Sequence, residues 1–363
     1  MMTIPIYQPT LSGNEKKYVN QCLDSNWISS KGDFIPRFEQ AFSSFCGITY
    51  ATTVSNGTVA MHLALLALGI GEGDEVIVPT FTYIASVNSI RYTGATPVFV
   101  DSMLNTLQVD PDDVRRKLTT KTKAILVVHL YGHPCDMDAL CSISSEHNLY
   151  MVEDCAEAIG SRYKGKHVGQ FGNIATFSFF GNKTITTGEG GMVVTNDQDL
   201  IERVIKYKGQ GLVRQGEYWH DVVGYNYRMT NICAAIGLAQ LEQVDVFLKA
   251  KRSIAMYYKD HLKAGSILFH EEHPDVDHSY WMCSIMLPNK DIRSIVTKSL
   301  LDKGVETRPF FHPVHTMPMY LETGLEFKVA EDIGERGINL PSYPGLSESE
   351  LEYIVSTIND CLA

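Results

Sequence analysis

Residues 177–191, FSFFGNKTITTGEGG, hold one lysine, Lys183, and no carboxylate before Glu189. An apolar run, Ile174 to Phe179, leads into it, and hydroxylated residues and three glycines follow. A phosphate-binding P-loop requires a glycine five residues before a Gly-Lys pair, so the order Gly181-Asn182-Lys183 excludes that motif. A loop lysine is most often a solvated cation. One that directly follows a buried strand and precedes a flexible glycine run suits imine chemistry instead. The attacking form is the neutral amine, and desolvation or a neighbouring cation must lower its pKa from about 10.4.

Outward from Lys183 the first two-thirds of the chain alternates short apolar runs with amphipathic segments. Glu75 to Val78, Pro97 to Val100, Ala124 to Leu130 and Leu149 to Glu153 read as further buried strands. In SNGTVAMHLALLALG, Ala60, Leu63, Ala64, Ala67 and Leu68 recur at the spacing of a core-facing helix that stops at Gly69. Strand and helix in alternation predict an α/β fold with a mostly parallel sheet covered on both faces. Thr230 is a candidate cap for one long helix running to about Lys263, with Leu241, Val244 and Leu248 on one side. The rhythm then loosens. At 363 residues the chain suggests two domains, a large one over 1–245, whose N-terminal segment packs on the other, and a smaller one over 246–363.

The formal charge of −11 argues against nucleic acid or an anionic membrane surface as partner, since both require a basic footprint. No run reaches the roughly 18 to 20 apolar residues of a membrane span. Eight cysteines without zinc-type or redox-type spacing fit a reducing cytoplasm. His270 with His273, and His312 with His315, have spacings open to a metal, but no third ligand is apparent and none is expected.

Three further stretches bear on Lys183. YMVEDCAEA ends an apolar strand on acids, Asp154 among them, where open parallel sheets present groups to a ligand. A structural cap is the plain reading; the alternative is an anion opposite the ring nitrogen of pyridoxal phosphate, whose protonated pyridine acts as an electron sink. Ser55-Asn56-Gly57-Thr58 opens a helix, where ordinary capping and anion binding use the same residue types. Ser178 adds a hydroxyl five residues before the lysine, and Tyr83 an aromatic face for stacking.

Taken together, SNGTVAMH, GDEVIVPTFTYIAS, GATPVFVD, VEDCAEAIGS, FSFFGNKTITTGEGGM and GYNYRMTNICAAIGLAQL resemble the DegT/DnrJ/EryC1/StrS sugar-nucleotide aminotransferases over nearly the whole chain. The resemblance implies the aspartate aminotransferase fold, fold type I, with pyridoxal 5'-phosphate as cofactor. It implies that Lys183 forms the Schiff base, Asp154 pairs with the pyridinium, Tyr83 stacks on the ring, and Gly57, Thr58 and Ser178 hold the phosphate. Glu157 stands where many relatives carry Gln or His near the phenolic oxygen. Asn226 and Arg228 match positions that reach the phosphate of a neighbouring subunit, which implies a homodimer with shared sites. Trp27, Ser29, Lys31, Gly32 and Arg308 match or adjoin positions expected to bind the acceptor. The implied reaction takes nitrogen from L-glutamate to C4 of a keto-sugar nucleotide, GDP-4-keto-6-deoxy-D-mannose first, with UDP- or dTDP-linked sugars or a non-catalytic cofactor-binding regulator as alternatives. A dehydratase branch carries histidine in place of the lysine, and Lys183 argues against it.

Overall fold

The apolar runs become the strands of one seven-stranded sheet in the computed structural model, which describes residues 3–214, 217–263, 265, 267–321 and 324–362. In chain order the strands are β1 (Tyr50–Val54), β2 (Glu75–Pro79), β3 (Thr96–Val100), β4 (Thr122–Val128), β5 (Tyr150–Asp154), β6 (Ile174–Ser178) and β7 (Gly191–Thr195). Across the sheet they lie as β1-β7-β6-β5-β4-β2-β3. β7 pairs antiparallel with both β1 and β6, and every other pairing is parallel, so only β7 runs against the rest. The expected mostly parallel α/β sheet is therefore present, and the C-terminal ends of β1, β4, β5 and β6 open onto one edge.

Both faces are covered, which is why these strands are almost continuously apolar. The helix Gly57–Ala67 packs Ala60, Leu63, Ala64 and Ala67 against Val76, Val78, Leu126 and Val152 on one face. Helices Phe34–Cys46 and Asn231–Leu241 bring Phe38, Phe42, Ala234 and Leu238 onto Phe177, Phe179 and Val194 on the other. Each fully buried Leu, Val or Phe contributes roughly 1.5–3 kcal/mol of transfer free energy, so the sheet is a rigid platform for its edge.

Thr230 caps its helix as the sequence suggests, its Oγ1 accepting the Cys233 N–H at 3.3 Å. The single long helix does not follow. The segment breaks at Glu242 and Gln243 into Asn231–Leu241 and Val244–His261, which are bent by 61°. The first half is held against the main sheet, while the second carries Ile254, Ala255 and Tyr258 to a different core. Glu242 is held at the break by Asn14 Nδ2 and the Tyr18 hydroxyl, both at 2.7 Å. Among the described residues no single helix is long and apolar enough to cross a membrane.

That second core lies under a four-stranded antiparallel sheet ordered Leu268–Phe269, Cys283–Met286, Gly337–Leu340, Arg308–Pro309. Helices Lys290–Asp302 and Glu348–Cys361 supply Val296, Leu300, Ile354 and Ile358 to it. Ile4 joins the same cluster and bridges Val305, its N–H bonding the Gly304 carbonyl at 2.9 Å.

Candidate active site

At the open edge of the main sheet, β1 ends at Val54 and the chain turns through Ser55 and Asn56 into the helix Gly57–Ala67. Asn56 is extended (φ −167°, ψ 171°) and its side chain accepts the Val59 N–H at 3.0 Å. The amides of Gly57 and Thr58, in the first turn, have no intrahelical acceptor and carry the positive end of the helix dipole. Two glycines make room for this helix start. A Cβ on Gly57 would lie 2.8 Å from Ser178 Cβ and 3.1 Å from its Oγ. One on Gly191 would lie 2.6 Å from the Asn56 carbonyl oxygen. The helix N-terminus and the Ser178 hydroxyl thus share a cradle that any larger residue would fill.

Asp154 ends β5. Its Oδ1 accepts the Ala156 N–H at 3.0 Å and its Oδ2 the Ser86 hydroxyl at 2.7 Å, which fixes a buried carboxylate facing a cavity of about 680 Å³. The same cavity is lined by Gly57, Thr58, Tyr83, Glu157, Ser178 and Lys183. Tyr83, just before the helix Ile84–Tyr92, is 57% exposed and has its ring centroid 5.6 Å from that of Phe311.

Lys183 enters this cavity from the loop after β6. Its side chain is only 12% exposed, and Nζ lies 3.6 Å from Glu157 Oε1 and 3.7 Å from the centroid of the Trp281 ring. Burial lowers the amine's pKa against the opposing pull of Glu157 and Asp154. Burial likewise pushes Glu157 up to about 7, partly offset by Lys183 and by the Tyr131 N–H that Oε2 accepts at 2.9 Å. Loss of water disfavours the charged form of both groups, lowering the amine's pKa and raising the carboxyl's. The Lys183 main chain is gripped as well: the Tyr7 hydroxyl donates to its carbonyl, and Trp281 Nε1 donates to the Asn182 carbonyl at 2.8 Å.

The residues present fit pyridoxal phosphate. An anion cradle stands at a helix N-terminus, an acid fixed by two donors lines the same cavity, and a desolvated lysine faces it. Fold and site together define a pyridoxal-phosphate-dependent aminotransferase. The DegT/DnrJ/EryC1/StrS aminotransferase family model matches residues 9–359, and the chain belongs to that family of sugar aminotransferases, which act on a keto-sugar nucleotide and an amino donor. It is 61% identical over 360 residues to GDP-perosamine synthase of Escherichia coli O157:H7, covering 99% of each chain, and 52% identical to that of Vibrio cholerae, covering 98% of each. Among solved structures it matches the aminotransferase TlmJ from Streptoalloteichus hindustanus with a TM-score of 0.95 at 30% identity, over 99% of both chains.

The other expected residues lie elsewhere in the chain. Asn226 and Arg228 are exposed and bonded to each other at 3.2 Å, while Tyr227 between them lines the cavity. Trp27, Lys31 and Gly32 line a separate cavity of about 520 Å³ with Arg37 and Asn231. Ser29 is exposed, and its carbonyl accepts the Asn231 N–H at 2.6 Å. Arg308 is exposed and paired with Glu306 at 2.6 Å. His270 packs with His133 and His278 rather than with His273 as a metal pair. His315 bonds the Thr80 hydroxyl at 2.7 Å and Glu331 at 3.2 Å. His129, Glu153 and Cys155 cluster closely, but Glu153 is occupied by His129 and by the amides of Gly169, Phe171 and Gly172.

Sequence reasoning missed Ser86, Tyr131 and Trp281. Ser86 stands three residues after Tyr83, one helical turn on, and that spacing was its only local signal. Tyr131 acts through its main chain, and Trp281 arrives from 99 residues beyond its partner Asn182.

Proposed function

We propose that the chain moves the amino group of L-glutamate to C4 of GDP-4-keto-6-deoxy-D-mannose, releasing 2-oxoglutarate and GDP-perosamine for surface polysaccharide synthesis. The observation that carries the chemistry is the desolvated Lys183 amine, 3.6 Å from Glu157 in the cavity that Asp154 lines. The two full-length relatives named GDP-perosamine synthase support the choice of acceptor.

When bound, pyridoxal phosphate supplies an aldehyde that condenses with amines and a protonated ring that withdraws electrons from the bond being broken. In this reading Gly57, Thr58 and Ser178 hold its phosphate, Asp154 keeps the ring nitrogen protonated, and Tyr83 covers the ring. Lys183 would hold the cofactor through its amine, and that amine would remove the α-proton of the donor and return a proton to the acceptor. Glu157, 3.6 Å from the Lys183 amine, serves as its proton partner, and burial of the amine favours its neutral, basic form. The Trp281 ring, its centroid 3.7 Å from the amine, excludes water from it, which strengthens each of these interactions.

The same reading makes the active form a homodimer. Asn226 and Arg228 then reach the phosphate of the other copy's cofactor, and Trp27, Ser29, Lys31, Gly32 and Arg308 serve the acceptor. The outward Trp219, Tyr218 and Val223, at 59%, 86% and 85% exposure, support burial against a second copy. We place the protein in the cytoplasm, in keeping with eight cysteines that are all free.

Incubation with glutamate and a panel of GDP-, UDP- and dTDP-linked keto-sugars tests the proposal. The expected outcome is stoichiometric 2-oxoglutarate and an amino sugar with the GDP acceptor. Turnover with a UDP or dTDP acceptor and none with GDP overturns the assignment.

A further inference from the structure

Lys251, midway along the helix Val244–His261, is 0% exposed, and its two hydrogen-bond acceptors are both main-chain carbonyls: Trp281 at 3.0 Å and Ser342 at 2.9 Å. Its Nζ also lies 5.5 Å from the centroid of the Tyr7 ring. A buried ammonium without a carboxylate partner is costly, and a fold that needed only a spacer there is served by Leu or Met. The groups Lys251 holds are therefore informative.

Trp281 and Tyr7 both grip the Lys183 segment. Trp281 covers the Lys183 amine with its ring and bonds the Asn182 carbonyl, and Tyr7 bonds the Lys183 carbonyl. Tyr131 backs the indole, with stacked rings whose centroids are 6.2 Å apart. From this convergence we infer that Lys251 is a positioning residue for Lys183, fixing the Trp281 main chain so that its indole keeps water from the amine. The inference rests on the reading of Lys183 as the imine-forming residue. Burial pushes Lys251 itself down to about 8, in keeping with a head group held by neutral acceptors.

The groups facing Lys183, namely Glu157 and Asp154, are untouched by substitution at 251, so a change in Lys183 reports on its cover. Without the anchor the indole is free to shift, water reaches the amine, and its pKa rises toward the ordinary lysine value. The experiment follows the pH dependence of Lys183 acylation in cofactor-free, full-length protein, read by peptide mass spectrometry. Lys251→Met is expected to raise the Lys183 midpoint by about one unit, and Lys251→Arg, which retains donors for both carbonyls, to restore most of the wild-type value. Should the Met variant not fold, Lys251→Gln gives the same test, since its shorter reach loses one of the two carbonyls and raises the midpoint by less. An unmoved midpoint in a folded Met or Gln variant overturns the inference. Borohydride reduction of the wild-type holoenzyme separates the two claims. Labelling at a lysine other than 183 overturns the parent reading, whereas labelling at 183 with an unmoved midpoint overturns only the role of Lys251.

Discussion

The hydroxyl of Ser86 donates to Asp154 Oδ2 at 2.7 Å, joining the helix after Tyr83 to the end of β5. Ser86 holds the carboxylate that faces the cofactor ring in the proposed site. Ser86→Ala removes a hydrogen bond to a charged group, worth about 1.5 kcal/mol or more, so the variant is expected to bind pyridoxal phosphate roughly tenfold more weakly with its fold intact. Equilibrium dialysis checks this, and unchanged affinity removes Ser86 from the site.

Gly57→Ala puts a methyl carbon 2.8 Å from Ser178 Cβ, closer than real Cβ contacts allow. The helix start or Ser178 must shift, and the shared anion cradle is lost. Cofactor affinity is expected to fall more than about tenfold while thermal stability changes little, because the rest of the helix remains packed.

In the proposed half-reaction with glutamate, Glu157 is expected to carry the pH dependence. Pushed up to about 7, it is protonated below that pH and accepts a proton from Lys183 only above it. The single-turnover rate is expected to rise with pH through about 7, and Glu157→Gln to lose this limb. A limb that persists in the Gln variant assigns it to another group.

The strands, the capped helix start and the acid at the end of β5 were legible in the sequence because each follows from local rules: apolar runs, a capping residue, a strand terminus. Gly57, Thr58, Tyr83, Asp154, Glu157, Ser178 and Lys183 line one cavity, and their grouping came from the family resemblance, since no local rule joins positions so far apart in the chain. The break at Glu242 and Gln243 was not legible, because the apolar stripe continues across it and only the two cores it serves impose the bend. Trp281 and Tyr131 were hidden for a related reason. Their contacts with the site depend on where the C-terminal elements dock and on a main-chain amide, neither of which has a residue pattern.

His133, His270 and His278 form a buried trio of neutral imidazoles. His278 Nδ1 accepts the Tyr280 N–H at 2.9 Å, leaving Nε2 to donate to His270 Nδ1 at 3.3 Å, while His270 Nε2 donates to the Thr106 carbonyl. Burial lowers His133 to about 4 and His270 to about 3, and His278 well below its usual value. Below about 6.5 the unfolded chain binds protons that the folded chain refuses, so this stabilisation is complete above 6.5 and is lost as pH falls toward 4. Each histidine contributes a slope of up to about 1.4 kcal/mol per pH unit. Urea titrations of wild type and His278→Leu isolate the trio from other titrating groups. The variant is expected to lose less stability between pH 7 and 5, and parallel curves contradict the assignment.

The most direct measurement is borohydride reduction of the holoenzyme followed by peptide mapping. A pyridoxyl group fixed on the peptide containing Lys183, and absent from the Lys183→Ala protein, is the expected result. A label on any other lysine, or an undiminished label in Lys183→Ala, would contradict the account.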